Sequence, residues 1–158
     1  MKIHSLFLII LCLGSIFISF SNASETTTIE NNGIIMTITI VDAYYTALDP
    51  DGLEDDVVSH FTLNFESDNF DDIFYDLDIS LILPSETSFD YHYDLSTSVF
   101  DLSYTIYFYN HATENGWYTV QITGTIFQGG FASDIVEYTF DPPGGTPGGN
   151  PLSVLILE

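Results

Sequence analysis

Basic side chains are almost missing from this chain. Lys2 is the one lysine or arginine, set against 23 aspartates and glutamates in 158 residues, for a formal net charge of −22. With no Lys or Arg to displace phosphate counterions, nucleic acid is excluded as an ordinary partner, and anionic membrane surfaces are excluded for the same reason. Beyond position 2 no Arg– or Lys–carboxylate ion pair can form. Each carboxylate there must be solvated, protonated, hydrogen-bonded or neutralised by a bound cation. A basic protein, a neutral glycan or a metal cation remains compatible with such a surface.

Cysteine is equally scarce. Cys12 stands alone inside an apolar N-terminal run, so the expected mature domain has neither a disulfide nor a thiol nucleophile. Leu11 is too bulky for the small-residue position that precedes a lipidated cysteine. No Gly-x-Ser-x-Gly elbow and no phosphate-binding loop occur, and the histidines show no metal-ligand spacing such as two His four apart. A helical apolar period of useful length is also missing. What is abundant is apolar and aromatic residues, 46% and 15% of the chain, which is too much for a disordered acidic polymer and enough for one domain with its own core.

Residues 1–23 have the form of a signal peptide. Lys2 supplies the charged start, residues 6–20 the apolar stretch, and Ser21-Asn22-Ala23 a small-residue cleavage site, which implies a secreted or cell-surface protein. Residues 24–32 are polar and Thr-rich and are expected to form a flexible lead-in. From 33 to 141 the chain alternates. Ile34, Met36, Ile38 and Ile40 share one face of a first strand. Val57, Phe61, Leu63 and Phe65 follow in a second, and Ile73, Tyr75, Leu77, Ile79, Leu81 and Leu83 in a third. Phe89, Tyr91, Tyr93 and Leu95 alternate with Asp90, His92 and Asp94 in a fourth. Phe100, Leu102, Tyr104, Ile106 and Phe108 mark a fifth, and Tyr118, Val120, Ile122 and Ile126 a sixth. Val136, Tyr138 and Phe140 close the series. The fold class is all-β, a single antiparallel β-sandwich of about seven strands.

The sixth strand carries a more specific signal. Glu114, Gly116 and Tyr118 precede it, with Val120 two residues after the tyrosine. This resembles strand F of the immunoglobulin-like and fibronectin type III-like sandwiches, in which such a tyrosine forms a corner. The resemblance implies an immunoglobulin-like sandwich. It implies no function, because that superfamily hosts adhesion modules, receptors and spacers alike.

Residues 142–151 are Pro/Gly-rich and read as a linker, and 152–158 form a short apolar tail. As a helix the tail would be about 10 Å long against a hydrocarbon core of about 30 Å. It is therefore too short to span a membrane. It is either the shortened end of an anchored architecture, giving tethering through a missing C-terminal anchor, or a segment that docks on the sandwich edge or on a partner.

Leu48-Asp49-Pro50-Asp51-Gly52-Leu53-Glu54-Asp55-Asp56 is the strongest chemical candidate. Calcium takes six to eight oxygens, and carboxylates two apart around a glycine can wrap it. The segment resembles the acidic loops of extracellular calcium-binding repeats, which implies calcium as a cofactor with Asp49, Asp51, Asp55 and Asp56 as ligands. A solvated Asp/Pro/Gly turn is the plain alternative. Asp68, Asn69, Asp71 and Asp72 make a second acidic turn, which would share an ion with the first only if both lie at one end of the sandwich. Tyr107, Tyr109 and Trp117 are expected on the non-core side, where rings stack on sugars or anchor a protein. Paired carboxylates also serve glycoside hydrolysis, but here they fall in exposed turns or on outward faces of a chain too small to wall a cleft. No catalytic residue is expected. The leading expectation is a non-enzymatic interaction or adhesion module. The alternatives are a structural spacer or fragment of a membrane-anchored stalk, and a small secreted glycan-active enzyme.

Overall fold

The computed structural model describes residues 24–68, 72–140 and 149–158. The signal-peptide reading, Asn69 and Asp71 of the second acidic turn, and linker residues 142–148 lie outside the described residues. Among those described there is no helix, and nine strands form two antiparallel sheets. They are β1 (Glu25–Asn31), β2 (Ile34–Thr46), β3 (Asp56–Ser67), β4 (Ile73–Ile82), β5 (Ser88–Thr97), β6 (Asp101–Tyr109), β7 (Tyr118–Ile126), β8 (Ala132–Phe140) and β9 (Leu152–Leu157). One sheet runs β1-β2-β3-β6-β9 and the other β5-β4-β7-β8.

The core lies between the sheets and is built from the alternating residues that the sequence pattern marks. Met36, Ile38 and Ile40 of β2, Phe61 and Leu63 of β3, and Leu77, Ile79 and Leu81 of β4 are fully buried, as are Ile106 and Phe108 of β6 and Val120 and Ile122 of β7. A polar tie crosses the core, where the hydroxyls of Tyr75 on β4 and Tyr104 on β6 meet at 2.8 Å. Burial and that contact hold the Tyr75 phenol well above its usual pKa. In β2 the register slips between Ile40 and Asp42. This bulge returns Ala43, rather than Asp42, to the inner face.

Two segments depart from expectation. Residues 24–32, expected as a loose lead-in, contribute β1, which pairs with β2 over its whole length. Asn32 and Gly33 make the connection, both in the left-handed region at φ 48° and 79°. That is the backbone of a two-residue hairpin turn, for which Asn-Gly is the preferred pair. The apolar tail forms β9, antiparallel to β6 on the edge of the five-stranded sheet. Of the alternatives for the tail, it is the sandwich edge that receives it, and nine strands replace the expected seven.

Candidate functional site

Three loops meet at one end of the sandwich, those joining β2 to β3, β4 to β5 and β6 to β7. The acidic loop is the first of them. Its last two carboxylates, Asp55 and Asp56, are fully buried, and their environments differ completely. Asp56 Oδ2 accepts the backbone N–H groups of Leu48 at 2.6 Å and Asp49 at 3.3 Å, and Oδ1 accepts that of Asn110 at 2.8 Å. One side chain thus closes its own loop and fastens it to the end of β6. The backbone carbonyl of Asp55 adds to the same seam, accepting N–H from His111 at 2.8 Å and Ala112 at 2.7 Å.

The side chain of Asp55 has no such partners. Neither carboxylate oxygen has a hydrogen-bond donor, and both are buried; the one other buried, unpaired side-chain atom among the described residues is Oε1 of Gln128. Burial raises the Asp55 pKa above the usual carboxylate range and the charges of Asp56, Asp51 and Asp49 push the same way, while the residue's own backbone N–H, outside good hydrogen-bonding geometry, pulls against them by less. Asp49 and Asp51 sit further out, half-buried and exposed. Each spends one oxygen on the loop backbone, Asp49 Oδ1 accepting from Asp51 N at 3.0 Å and Asp51 Oδ1 from Leu53 N at 2.8 Å. Gly52, at φ 73°, makes the turn from Asp51 to Leu53. The four predicted ligands therefore share one loop, with the carboxylates of Asp49, Asp51 and Asp55 spread more widely than a preformed cation cage, in which ligand atoms lie within about 5 Å of one another.

The second acidic turn is not part of this site. It follows the last residue of β3, whereas the first acidic loop precedes the first. Twelve strand residues lie between, and at about 3.3 Å each they put the two turns roughly 35–40 Å apart. The two turns are too distant to share an ion.

Behind the acidic loop, His111 is fully buried in an aromatic nest. Phe89 meets its ring edge-on at 4.5 Å, with Phe108 and Tyr91 at 5.6 and 5.9 Å. Nδ1 faces the carbonyl of Tyr109 at 2.6 Å and Nε2 the Tyr91 hydroxyl at 2.6 Å. That assignment fits a neutral ring donating from Nδ1 and accepting at Nε2, and burial lowers its pKa accordingly. Nearby, the Tyr118 hydroxyl receives the Glu114 N–H at 2.7 Å and donates to the Glu114 carbonyl at 2.9 Å. This is the corner that the spacing of Glu114, Gly116 and Tyr118 predicts.

A constellation the sequence reading missed lies on the outer face of the four-stranded sheet. Register places Asp76 opposite Asp94 and Asp78 opposite His92. His92 Nδ1 lies 2.7 Å from Asp78, and Nε2 lies 3.1 Å from Asp94 and 3.8 Å from Asp76. Both ring nitrogens face carboxylates, which only an imidazolium can satisfy with two N–H donors. The hydrogen bonds that His92 donates to Asp78 and Asp94 raise its pKa, and burial with the Asp94 charge raises that of Asp76. His92 and Asp94 are solvent-exposed, with Asp76 only half-covered.

On the outer face of the other sheet one cross-strand row is uncharged from end to end. Tyr44 on β2 stands opposite Val58 on β3, Val58 opposite Tyr107 on β6, and Tyr107 opposite Val154 on β9. Tyr107 and Tyr109 lie near-parallel with ring centres 6.3 Å apart. Leu152, Val154, Ile156 and Tyr44 are exposed. Both tyrosines face away from the core, as expected, and Trp117 is exposed as well. Two open grooves also mark the surface, one lined by Glu30, Glu66, Asp68 and Asp101 and the other by Phe74, Asp76, Asp94 and Phe127.

Compared with known proteins, the chain matches no family model, no curated protein and no solved structure.

Proposed function

We propose that this chain is a non-enzymatic, secreted or cell-surface interaction module on an immunoglobulin-like, fibronectin type III-like sandwich, and that it engages a protein partner through the outward row Tyr44–Val58–Tyr107–Val154. The fold assignment is supported by the order β2-β3-β6 facing β5-β4-β7-β8, which is the arrangement the resemblance implies, and by the Tyr118 corner. The observation that carries the functional reading is the row itself. A chain this acidic can keep its exposed faces charged, yet here Tyr44 and Val154 are exposed and Tyr107 half-exposed, flanking a buried Val58, so that aliphatic and phenolic side chains reach solvent on three strands. Exposed Val154, Ile156 and Leu152 beside the tyrosines favour a protein surface over a sugar, since sugars need hydrogen-bonding side chains next to the stacking ring.

The test compares the wild type with a Tyr107→Ser, Val154→Ser double variant, both outward-facing and checked for unchanged melting. Each is used to capture protein from the extracellular material of its source and is applied to a glycan array. Capture of a defined protein that falls at least tenfold in the variant supports the reading. Capture unaffected by the substitutions removes the row as the contact face. Array binding without protein capture transfers the site to a glycan, and the absence of both leaves a spacer.

A further inference from the structure

We infer that the β2–β3 loop is a calcium site nucleated by Asp55, whose buried and unpartnered carboxylate ligates the ion together with Asp49 and Asp51, while Asp56 keeps the loop pinned to β6. The inference does not rest on the proposed contact face, which begins two residue pairs along β2 and β3 from the loop. It starts from a deficit. Asp55 is fully buried with both oxygens unpaired, in a loop that already holds Asp49, Asp51 and Asp56. A buried carboxylate without a donor is strongly unfavourable, and proteins normally answer it with Arg, Lys or a hydrogen bond.

This chain has no such answer available. Its single Lys is at position 2. Among the described histidines, His60 is held by Asp42 at 2.6 Å, His92 lies on the opposite sheet between Asp78 and Asp94, and the His111 ring is occupied by Tyr109 and Tyr91. Among the described residues no cationic side chain answers Asp55, which leaves a proton or a cation from solution.

The donor set selects the partner. Asp49, Asp51 and Asp55 offer carboxylate oxygens only, without imidazole or thiolate, which suits a hard cation rather than zinc or copper. Asp56 adds a further negative charge next to Asp55 while its oxygens hold backbone N–H groups. Asp49 and Asp51 each keep one oxygen free of the loop's own hydrogen bonds. The loop must draw these two inward over Asp55, since their oxygens stand further apart than a formed cage requires. Calcium tolerates irregular, flexible coordination and completes its shell with water, whereas magnesium demands a near-ideal octahedron.

The experiment is thermal unfolding of the full chain, first in chelator and then with calcium or magnesium added, at constant high NaCl to suppress general screening, together with calorimetric titration of calcium. The expected result is one calcium per chain and a saturating rise in Tm that magnesium does not reproduce. At calcium a hundredfold above Kd the folded-to-unfolded ratio increases about 100-fold. Asp55→Asn should abolish the response while leaving the chelated protein as stable as before or more so, because it removes an unpaired buried charge. Asp51→Asn, an exposed change that cannot threaten the fold, should weaken calcium binding about tenfold or more. Asp94→Asn on the other sheet should leave it intact. The inference is overturned by an absent calcium response, by a response that survives Asp55→Asn, or by one that Asp94→Asn removes.

Discussion

Replacing Asp56 with alanine should be among the most damaging single changes this protein can suffer at a polar position. The side chain accepts three backbone N–H groups, from Leu48, Asp49 and Asn110. A hydrogen bond to a charged acceptor is worth about 1.5–3 kcal/mol. Simple addition overstates the loss, because the Asp49 contact is long at 3.3 Å and shares its oxygen with that of Leu48. The Leu48 and Asp49 amides also lie near the surface, where water can replace the lost acceptor. The Asn110 amide is buried and cannot be rescued so easily. A net loss of about 3–4 kcal/mol follows. For a domain of this size that is a fall in Tm of roughly 8–15 °C. Circular dichroism melting in chelator measures it without the confounding effect of calcium. Asn110 also grips the residues that lead into β9, its Oδ1 accepting the Gly149 N–H at 2.7 Å. A double-mutant cycle of Asp56→Ala with Asn110→Ala should therefore show a coupling of at least about 0.5 kcal/mol. A loss below about 1 kcal/mol for Asp56→Ala, or additive effects in the cycle, would refute the picture of one carboxylate tying loop, β6 and β9 together.

Three further substitutions test other parts of the argument. Tyr118→Phe removes the hydroxyl that both accepts from and donates to the Glu114 backbone; it should cost about 1–3 kcal/mol in urea unfolding, with the slope unchanged. Gly124→Ala places a methyl group 2.5 Å from Ile38 Cδ1 and 2.6 Å from Met36 Cε, between the sheets; overpacking should cost about 1–3 kcal/mol in the same assay. His92→Gln tests the imidazolium on the outer face. Its pKa is raised in the folded state, so its stabilisation is present below the unfolded value of about 6.5 and fades as pH rises through the folded value. Scanning calorimetry should show a lower Tm for the variant at pH 5.5 and no difference at pH 9. A deficit at pH 9 equal to that at pH 5.5 would show that charge is not the cause.

The strands that could be read from sequence are those with one strongly apolar face. Ile73 to Leu83 and Phe100 to Phe108 alternate so regularly that a slip of one residue would expose the whole core set. β1 lacks that signature, because Ile29 is its one deeply buried residue and its remaining positions are Thr, Glu and Asn. Backbone pairing with β2, not burial, holds it in place, and the cue that marks it is the Asn32-Gly33 turn. β9 was ambiguous for a different reason: six residues beyond a Pro/Gly stretch are too few for a period to decide between edge strand, anchor and partner contact. In the acidic loop the residue types were legible, but burial was not. Nothing in Asp55-Asp56 says that both carboxylates turn inward, or that one would capture three N–H groups and the other none. The His92 constellation depends on the β4–β5 register. That register is set by a five-residue connection closed by hydrogen bonds between Leu83 and Thr87 and between Glu86 and Leu83, and short polar loops do not announce their register.

The near-absence of basic residues explains how the remaining carboxylates are arranged. With no Arg or Lys to meet them, they are met by other donors. Hydroxyls serve Asp134 from Thr27, Asp90 from Ser80 and Ser88, and Glu158 from Thr105. Side-chain amides serve Asp101 from Asn64 and Glu137 from Gln121. Imidazoles serve Asp42, Asp78 and Asp94, and backbone amides serve Asp56. The hydroxyls and amides satisfy lone pairs without cancelling the charge, and the few imidazoles are far outnumbered by carboxylates, so the repulsion among them persists. The surface tolerates that because water and salt screen it. A buried group has neither, so it needs either a donor or a counter-ion held against it. Asp56 has the first. Asp55, its neighbour in sequence, has neither, and with no described cationic side chain against it the remaining ways to keep it buried are a proton or a bound metal ion. The proton becomes scarcer as pH rises, while calcium binding strengthens as the carboxylates ionise. On the site inferred above, calcium takes the place of that proton at neutral and alkaline pH.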